Sequence, residues 1–234
     1  MRSRNPQSAI PGSVHPFLLI LIVVNLCLAG CTYRREIPVA EPLKALNIKT
    51  LLVMPFDAAA ERYEIGTNIR CPMCGAVFLT SPVVRDADSY MTRQLLTFLR
   101  AETTYTLIPP GRGARIRHKI LSEYLHMSER EILLETGRKL KADAVVSGTI
   151  YRFRERVGTD FSVETPASVA FGIHLIRVDD GRLIWVGHAD ETQKSLSENL
   201  FKLSAFIKSG GVWLTAEKLA GSELNRVMAT FPVP

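Results

Sequence analysis

Two apolar runs, Ser168–Val178 and Leu183–Glu191, flank Asp179-Asp180-Gly181-Arg182. Asp-Gly between two strand-like runs is a strong hairpin signal. A two-residue turn at Asp180-Gly181 sets Ile176 opposite Trp185 and Leu175 opposite Val186. One face then carries Val169, Phe171, Ile173, Leu175, Ile184 and Val186, and the other Ala170, Ile176, Val178, Leu183 and Trp185. Both faces are apolar, so helices should cover the sheet on both sides.

The rest of the chain supplies strands and helices for such a layout. Thr50–Phe56 is apolar without alternation, the pattern of a buried strand. Residues 57–80 are polar and glycine-bearing and read as an inserted loop or small hairpin. Ser81-Pro82 resembles an N-cap followed by proline at the first helical position, and Val84, Ala87, Met91, Leu95 and Phe98 recur at helical spacing to about Ala101. Tyr105–Ile108 is a short strand stopped by Pro109-Pro110, and residues 114–126 are expected to be helical. Ser128-x-x-Glu131 is a capping box that starts a helix to about Lys141. Ala144–Phe153 is the next strand, and residues 154–167 a polar connection. Ser195-x-x-Glu198 opens a helix striped by Leu196, Leu200, Leu203 and Ile207 and ended by Gly210-Gly211. Trp213, Ala216, Ala220, Leu224 and Val227 stripe a last helix. The expectation is an α/β fold: one mixed sheet, helices on both faces, and a C-terminal helical pair.

The N-terminus has its own logic. Arg2 and Arg4 precede the 13-residue run Phe17–Ala29, which is broken only by Asn25. A membrane span needs about 20 residues, so this run suits a secretory signal. Leu28-Ala29-Gly30-Cys31 resembles the bacterial lipobox. The resemblance implies cleavage between Gly30 and Cys31, a diacylglycerol on the Cys31 thiol, and a fatty acyl chain such as palmitate on the new amine. Residues 1–30 are then signal peptide, 31–47 a lipidated tether containing Pro38 and Pro42, and 48–234 the α/β domain with its insert at 57–80. Thr32, where enteric lipoproteins retained in the inner membrane carry Asp, points to the periplasmic face of the outer membrane.

Cleavage removes two of 29 basic residues and none of the 23 acidic ones, leaving a net charge of +4. That balance does not argue for nucleic acid as a partner. The mature chain of residues 31–234 is long enough to bury a sizeable single core.

Three stretches, Leu51–Phe56, Gly137–Ile150 and Leu175–Trp185, are similar to the curli-secretion lipoprotein superfamily. Its relatives include the TolB N-terminal domain and lipoprotein activators of penicillin-binding proteins. The resemblance implies a non-enzymatic protein that builds envelope complexes by contact, with an envelope protein as partner or a homo-oligomer as product. One alternative is an oligomeric subunit of an outer-membrane secretion assembly. A transmembrane strand needs about 9–11 alternating residues, and neither 154–167 nor 57–80 alternates over such a pair.

Cys71-Pro72-Met73-Cys74-Gly75 is the constellation with most chemical potential. Cys-Pro-x-Cys-Gly suits a tight turn that aims two sulfurs at one point, with Gly75 free to take positive φ. It resembles half of a zinc knuckle, which a pair from a neighbouring subunit would complete as Cys₄. A local disulfide is equally open, since disulfides can form outside the cytoplasm. Thiol redox chemistry is a further alternative, but its motifs sit at helix N-termini and the run after Gly75 is strand-like. Arg112, Arg115, Arg117 and Lys119 form a basic cluster able to touch anionic groups, although a solvated helix start explains them more simply. His118 and His126 read as surface histidines. The expected register sets His174 and His188 on opposite faces of the sheet, where histidines are more often core-edge residues than ligands. Asp190 and Glu191 lack a matched acid–base partner, and Ser147 lacks a strand–turn–helix elbow.

Overall fold

The computed structural model describes residues 47–124, 126–159, 162–193 and 213–233. The expected signal peptide and its cleavage site at Gly30 and Cys31, the expected tether up to residue 46, and the helix expected from Ser195 lie outside the described residues.

The element order is β1 (Thr50–Val53), β2 (Asp57–Ala58), a 3₁₀ turn (Ala59–Glu61), β3 (Asn68–Arg70), β4 (Val77–Leu79) and α1 (Ala87–Glu102). It continues through β5 (Thr106–Ile108), α2 (Pro110–Glu123), α3 (Glu129–Lys139) and β6 (Ala144–Arg154). It closes with β7 (Val157–Gly158), β8 (Val163–Thr165), β9 (Ser168–Arg177), β10 (Leu183–Thr192) and α4 (Ala216–Met228). The main sheet has the order β10-β9-β6-β1-β5, with β2 also pairing β6. β5, β1, β6 and β2 run parallel, whereas β9 and β10 are antiparallel to their neighbours. The fold is therefore α/β with a mixed sheet.

β9 explains the layering, because every residue from Ser168 to Ile176 is buried. On one face Val169, Phe171, Ile173 and Leu175 join Leu51 and Val53 of β1, the apolar stripes of α1 and α4, and Trp185. On the other, Ile176 and Val178 join Leu52, Met54 and Val145 against Leu133 and Leu134 of α3. Helices cover both faces. The second face has a further cover beyond the helices: the β3–β4 hairpin, whose Phe78 and Cys71 pack on Tyr151 and Ala170.

Asp143 ties the parallel centre together. Its Oδ2 accepts from the backbone N–H of Lys49 at 2.9 Å and Thr50 at 2.7 Å, so the residue just before β6 also fixes the start of β1. The Ser128–Glu131 capping box is present with both of its hydrogen bonds.

Three expectations need correction. The helix expected from Ser81-Pro82 starts at Ala87. Residues 81–84 instead run extended beside β6, with Ser81 N–H donating to the Tyr151 carbonyl and Val84 N–H to that of Phe153. The sheet offered these donors partners that a helix start would have left unmet. The helix expected over 114–126 spans Pro110–Glu123: Pro109-Pro110 ends the preceding strand at Ile108 as expected, and Pro110 then takes the first helical position. Gly113 lets this helix press onto β1: a Cβ there would lie 2.6 Å from the Met54 sulfur.

The hairpin register also differs. Arg177 N–H donates to the Arg182 carbonyl, so residues 178–181 form the loop, with Gly181 at φ +71°. An irregularity between Leu183 and Trp185 then pairs Trp185 with Leu175 and Val186 with His174. Trp185 moves to the α4 face, where it meets Phe231 edge-on with ring centroids 5.0 Å apart. His174 and His188 consequently share a face, contrary to the two-residue-turn register.

Gly148 sits in β6 where Phe56 crosses it, and a Cβ would lie 2.3 Å from the ring. Gly148→Ala is expected to lower stability by about 1–3 kcal/mol through overpacking, read as a lower urea midpoint at unchanged slope. An unchanged midpoint would show that the ring moves aside freely.

Candidate thiol–imidazole site

Cys71 and Cys74 lie in the turn that joins β3 to β4. Cys71 N–H donates to the Ala76 carbonyl at 2.7 Å, and Gly75 N–H donates back to the Cys71 carbonyl at 2.9 Å. Gly75 adopts φ +78°, a backbone conformation that a side chain would strain. Arg70 Nη1 donates to the Gly75 carbonyl at 2.9 Å and braces the turn from outside. β3 and β4 pair Ile69 with Phe78 on the inner face, so Val77 and Leu79 face outward and are exposed.

The turn is held over the second sheet face by aromatic and polar contacts. Phe78 stacks on Tyr151 with centroids 4.0 Å apart and planes 6° from parallel. His188 meets the edge of Phe78 at 6.1 Å. A bulge in β6 places both Tyr151 and Arg152 opposite Ala170, so both side chains serve the hairpin side. Arg152 is buried. Its Nε donates to Ser168 Oγ at 2.7 Å, its Nη1 donates to the Leu79 carbonyl at 3.1 Å, and its Nη2 pairs with Asp190. Asp190, which had no partner legible in the sequence, is thus the counter-ion of a guanidinium that ties β4 to β6.

The hairpin delivers its sulfurs to His174 of β9. Cys71 Sγ lies 3.4 Å from His174 Nε2, and the ligand atoms of Cys71, Cys74 and His174 all fall within 4.8 Å of one another. Cys71 and His174 are 2% and 1% exposed, while Cys74 is half-buried. The two thiols are free of a disulfide and lie 103 and 100 residues before His174. The sequence pattern points to the two cysteines and not to the histidine, because nothing local says that the 57–80 insert folds over the β9 face that His174 shares with Ala170 and Ile176.

The thiols are not electrostatically equal. A hydrogen bond from Cys74 draws the Cys71 thiol well below its ordinary range; burial opposes this, and His174 adds to it. Cys74 moves the other way, raised by its hydrogen bond to Cys71 and by burial. Burial, with the nearby Cys71, pushes Tyr151 up. The sulfur favoured as thiolate is the buried one, whereas disulfide exchange needs an accessible thiolate. The motif also joins two strands and opens no helix. The geometry suits ligation better than redox catalysis.

The basic cluster is divided. Arg117 turns to Asp57 at 2.8 Å and Lys119 lies 3.8 Å from Glu123, which leaves Arg112 and Arg115 exposed on α2 without a common anion-binding pocket formed by all four. His118 and His126 are exposed and do not belong to the ligand group of Cys71, Cys74 and His174. Among the described residues, no helix is long and apolar enough to cross a membrane.

No protein-family model matches this chain, and no curated protein does. Solved structures resemble it in general layout. The PelC dodecamer from Paraburkholderia phytofirmans is 15% identical, with 81% of this chain and 90% of that one covered at a TM-score of 0.45. The LpoB C-terminal domain from Salmonella enterica is 15% identical, covering 64% and 90% at 0.38. The lipoprotein GNA1162 from Neisseria meningitidis is 14% identical, covering 70% and 98% at 0.38. At these identities and TM-scores the chain is similar to them without sharing an assignable residue role.

Arg152→Met removes the donor to the Leu79 carbonyl. A charge-assisted hydrogen bond contributes about 1.5–3 kcal/mol, so amide exchange across β3–β4 should quicken about tenfold to a hundredfold. Exchange at the wild-type rate would mean that the aromatic stack alone holds the hairpin.

Proposed function

We propose that this chain is a lipid-anchored protein of the bacterial cell envelope whose α/β domain works by binding. The observation that carries this reading is Leu28-Ala29-Gly30-Cys31 at the end of a 13-residue apolar run, followed within twenty residues by the first strand of the domain. Two acyl chains already give a stable anchor, at about 0.8 kcal/mol per buried CH₂. Thr32 favours the periplasmic face of the outer membrane as the site of anchoring.

Sixteen peptide steps separate Cys31 from Asn47. At about 3.3–3.6 Å per residue they span no more than about 60 Å. The domain would therefore search a thin layer beside the membrane. Confinement of that kind raises the effective concentration of an envelope partner without any new contact. Non-catalytic action is supported by what the candidate catalytic residues do. Asp190 is engaged by Arg152, and Ser147 lies inside β6 with no strand–turn–helix elbow.

The test is Cys31→Ser in the native host. The wild-type protein should carry the mass of an acylated Cys31, partition with membranes and accumulate as precursor under globomycin. The variant should lose all three properties. A wild-type mature mass with no acyl addition would overturn the anchoring claim.

A further inference from the structure

We propose that Cys71, Cys74 and His174 form a site for one zinc-class divalent cation within a single chain, with a fourth coordination position left to water. The proposal stands apart from lipid anchoring and holds for the domain whichever membrane carries it.

The donor set has the right chemistry. Two thiolates and one imidazole are soft-to-borderline ligands of the kind zinc takes. Zinc bonds of about 2.3 Å to sulfur and 2.0 Å to nitrogen, at tetrahedral angles, hold the two ligand atoms about 3.5 Å apart. Cys71 Sγ and His174 Nε2 lie 3.4 Å apart. No rearrangement of the buried pair is needed to admit the ion between them and Cys74, since all three ligand atoms already fit within 4.8 Å.

The architecture is that of a built site. Gly75 at positive φ and the reciprocal Cys71–Gly75–Ala76 backbone bonds fold the turn so that both sulfurs point inward. His174 comes from the most buried strand of the sheet and is itself 1% exposed, a costly place for an imidazole with nothing to ligate. The half-buried Cys74 leaves an access side. Binding displaces the thiol protons: the cation takes two thiolates and a neutral imidazole, and no electron moves. The third ligand from the same chain replaces the subunit-bridging Cys₄ arrangement as the simplest way to complete the knuckle. Its effect would be mechanical, pinning the β3–β4 hairpin to β9 in addition to the Phe78–Tyr151 stack.

The experiment uses the full chain in detergent, reduced with a phosphine and then exposed to zinc or cobalt(II) chloride. The expected result is one zinc per chain retained through gel filtration, a higher Tm with zinc, and cobalt spectra showing tetrahedral d–d bands with thiolate charge transfer. Cys74→Ser, in a turn position open to solvent, should abolish the charge-transfer intensity due to one sulfur and weaken zinc binding. His174→Gln should weaken binding at least about tenfold, since loss of even an outer-shell partner costs 10–100-fold; circular dichroism checks that it folds. Three results would overturn the proposal. The reduced wild-type chain could bind no zinc. It could bind one zinc per two chains with a four-thiolate spectrum. Or a folded His174→Gln could bind zinc as tightly as wild type.

Discussion

Burial of β9 on both faces is the constraint on which the rest of the structure depends. A strand with no solvent-facing side must be covered twice along its whole length. α1 and α4 pack on one face. On the other face α3 covers only the end near Ile176 and Val178, and the hairpin from the 57–80 insert covers the end near Ala170. His174 lies between those two covers. A polar side chain buried there needs a partner, and the hairpin turn brings Cys71 to it. The thiol–imidazole cluster thus sits at the seam between two lids on one sheet face.

The same seam accounts for the polar residues around it. The β6 bulge turns Tyr151 and Arg152 together toward the insert. Tyr151 gives the aromatic floor on which Phe78 rests, and Arg152 reaches across to the carbonyl of Leu79. Arg62 pairs with Glu129 at 2.6 Å and Asp57 with Arg117, so both ends of the insert's first half are fastened to the helices beside it. The insert is a fitted cover, and its two cysteines are placed by that fit.

Much of this was legible in residue patterns, and the misses have a common cause. The double apolar face of Ser168–Glu191, the capping box at Ser128 and the Cys-Pro-x-Cys-Gly turn are local signals that survive in the fold. What failed was register and competition. Asp180-Gly181 looks like a two-residue turn, but Asp180 instead caps the loop: it accepts from Arg182 N–H at 3.0 Å and pairs with Arg177. The longer loop and the following irregularity shift Trp185 and His188 to the opposite faces from the simple count. Ser81-Pro82 has the composition of a helix start, yet β6 offers its backbone a neighbour, and tertiary hydrogen bonds won. His174 could not be joined to Cys71 by any local pattern, because 103 residues separate them and the contact depends on where the insert docks on the sheet.

The central claim is that one chain alone brings two sulfurs and one imidazole to a common point. X-ray absorption at the zinc edge of the metal-loaded protein reads the shell directly. The account predicts two sulfur scatterers and one imidazole, with a light atom completing the set. A shell of four sulfurs, or one without sulfur, would contradict it.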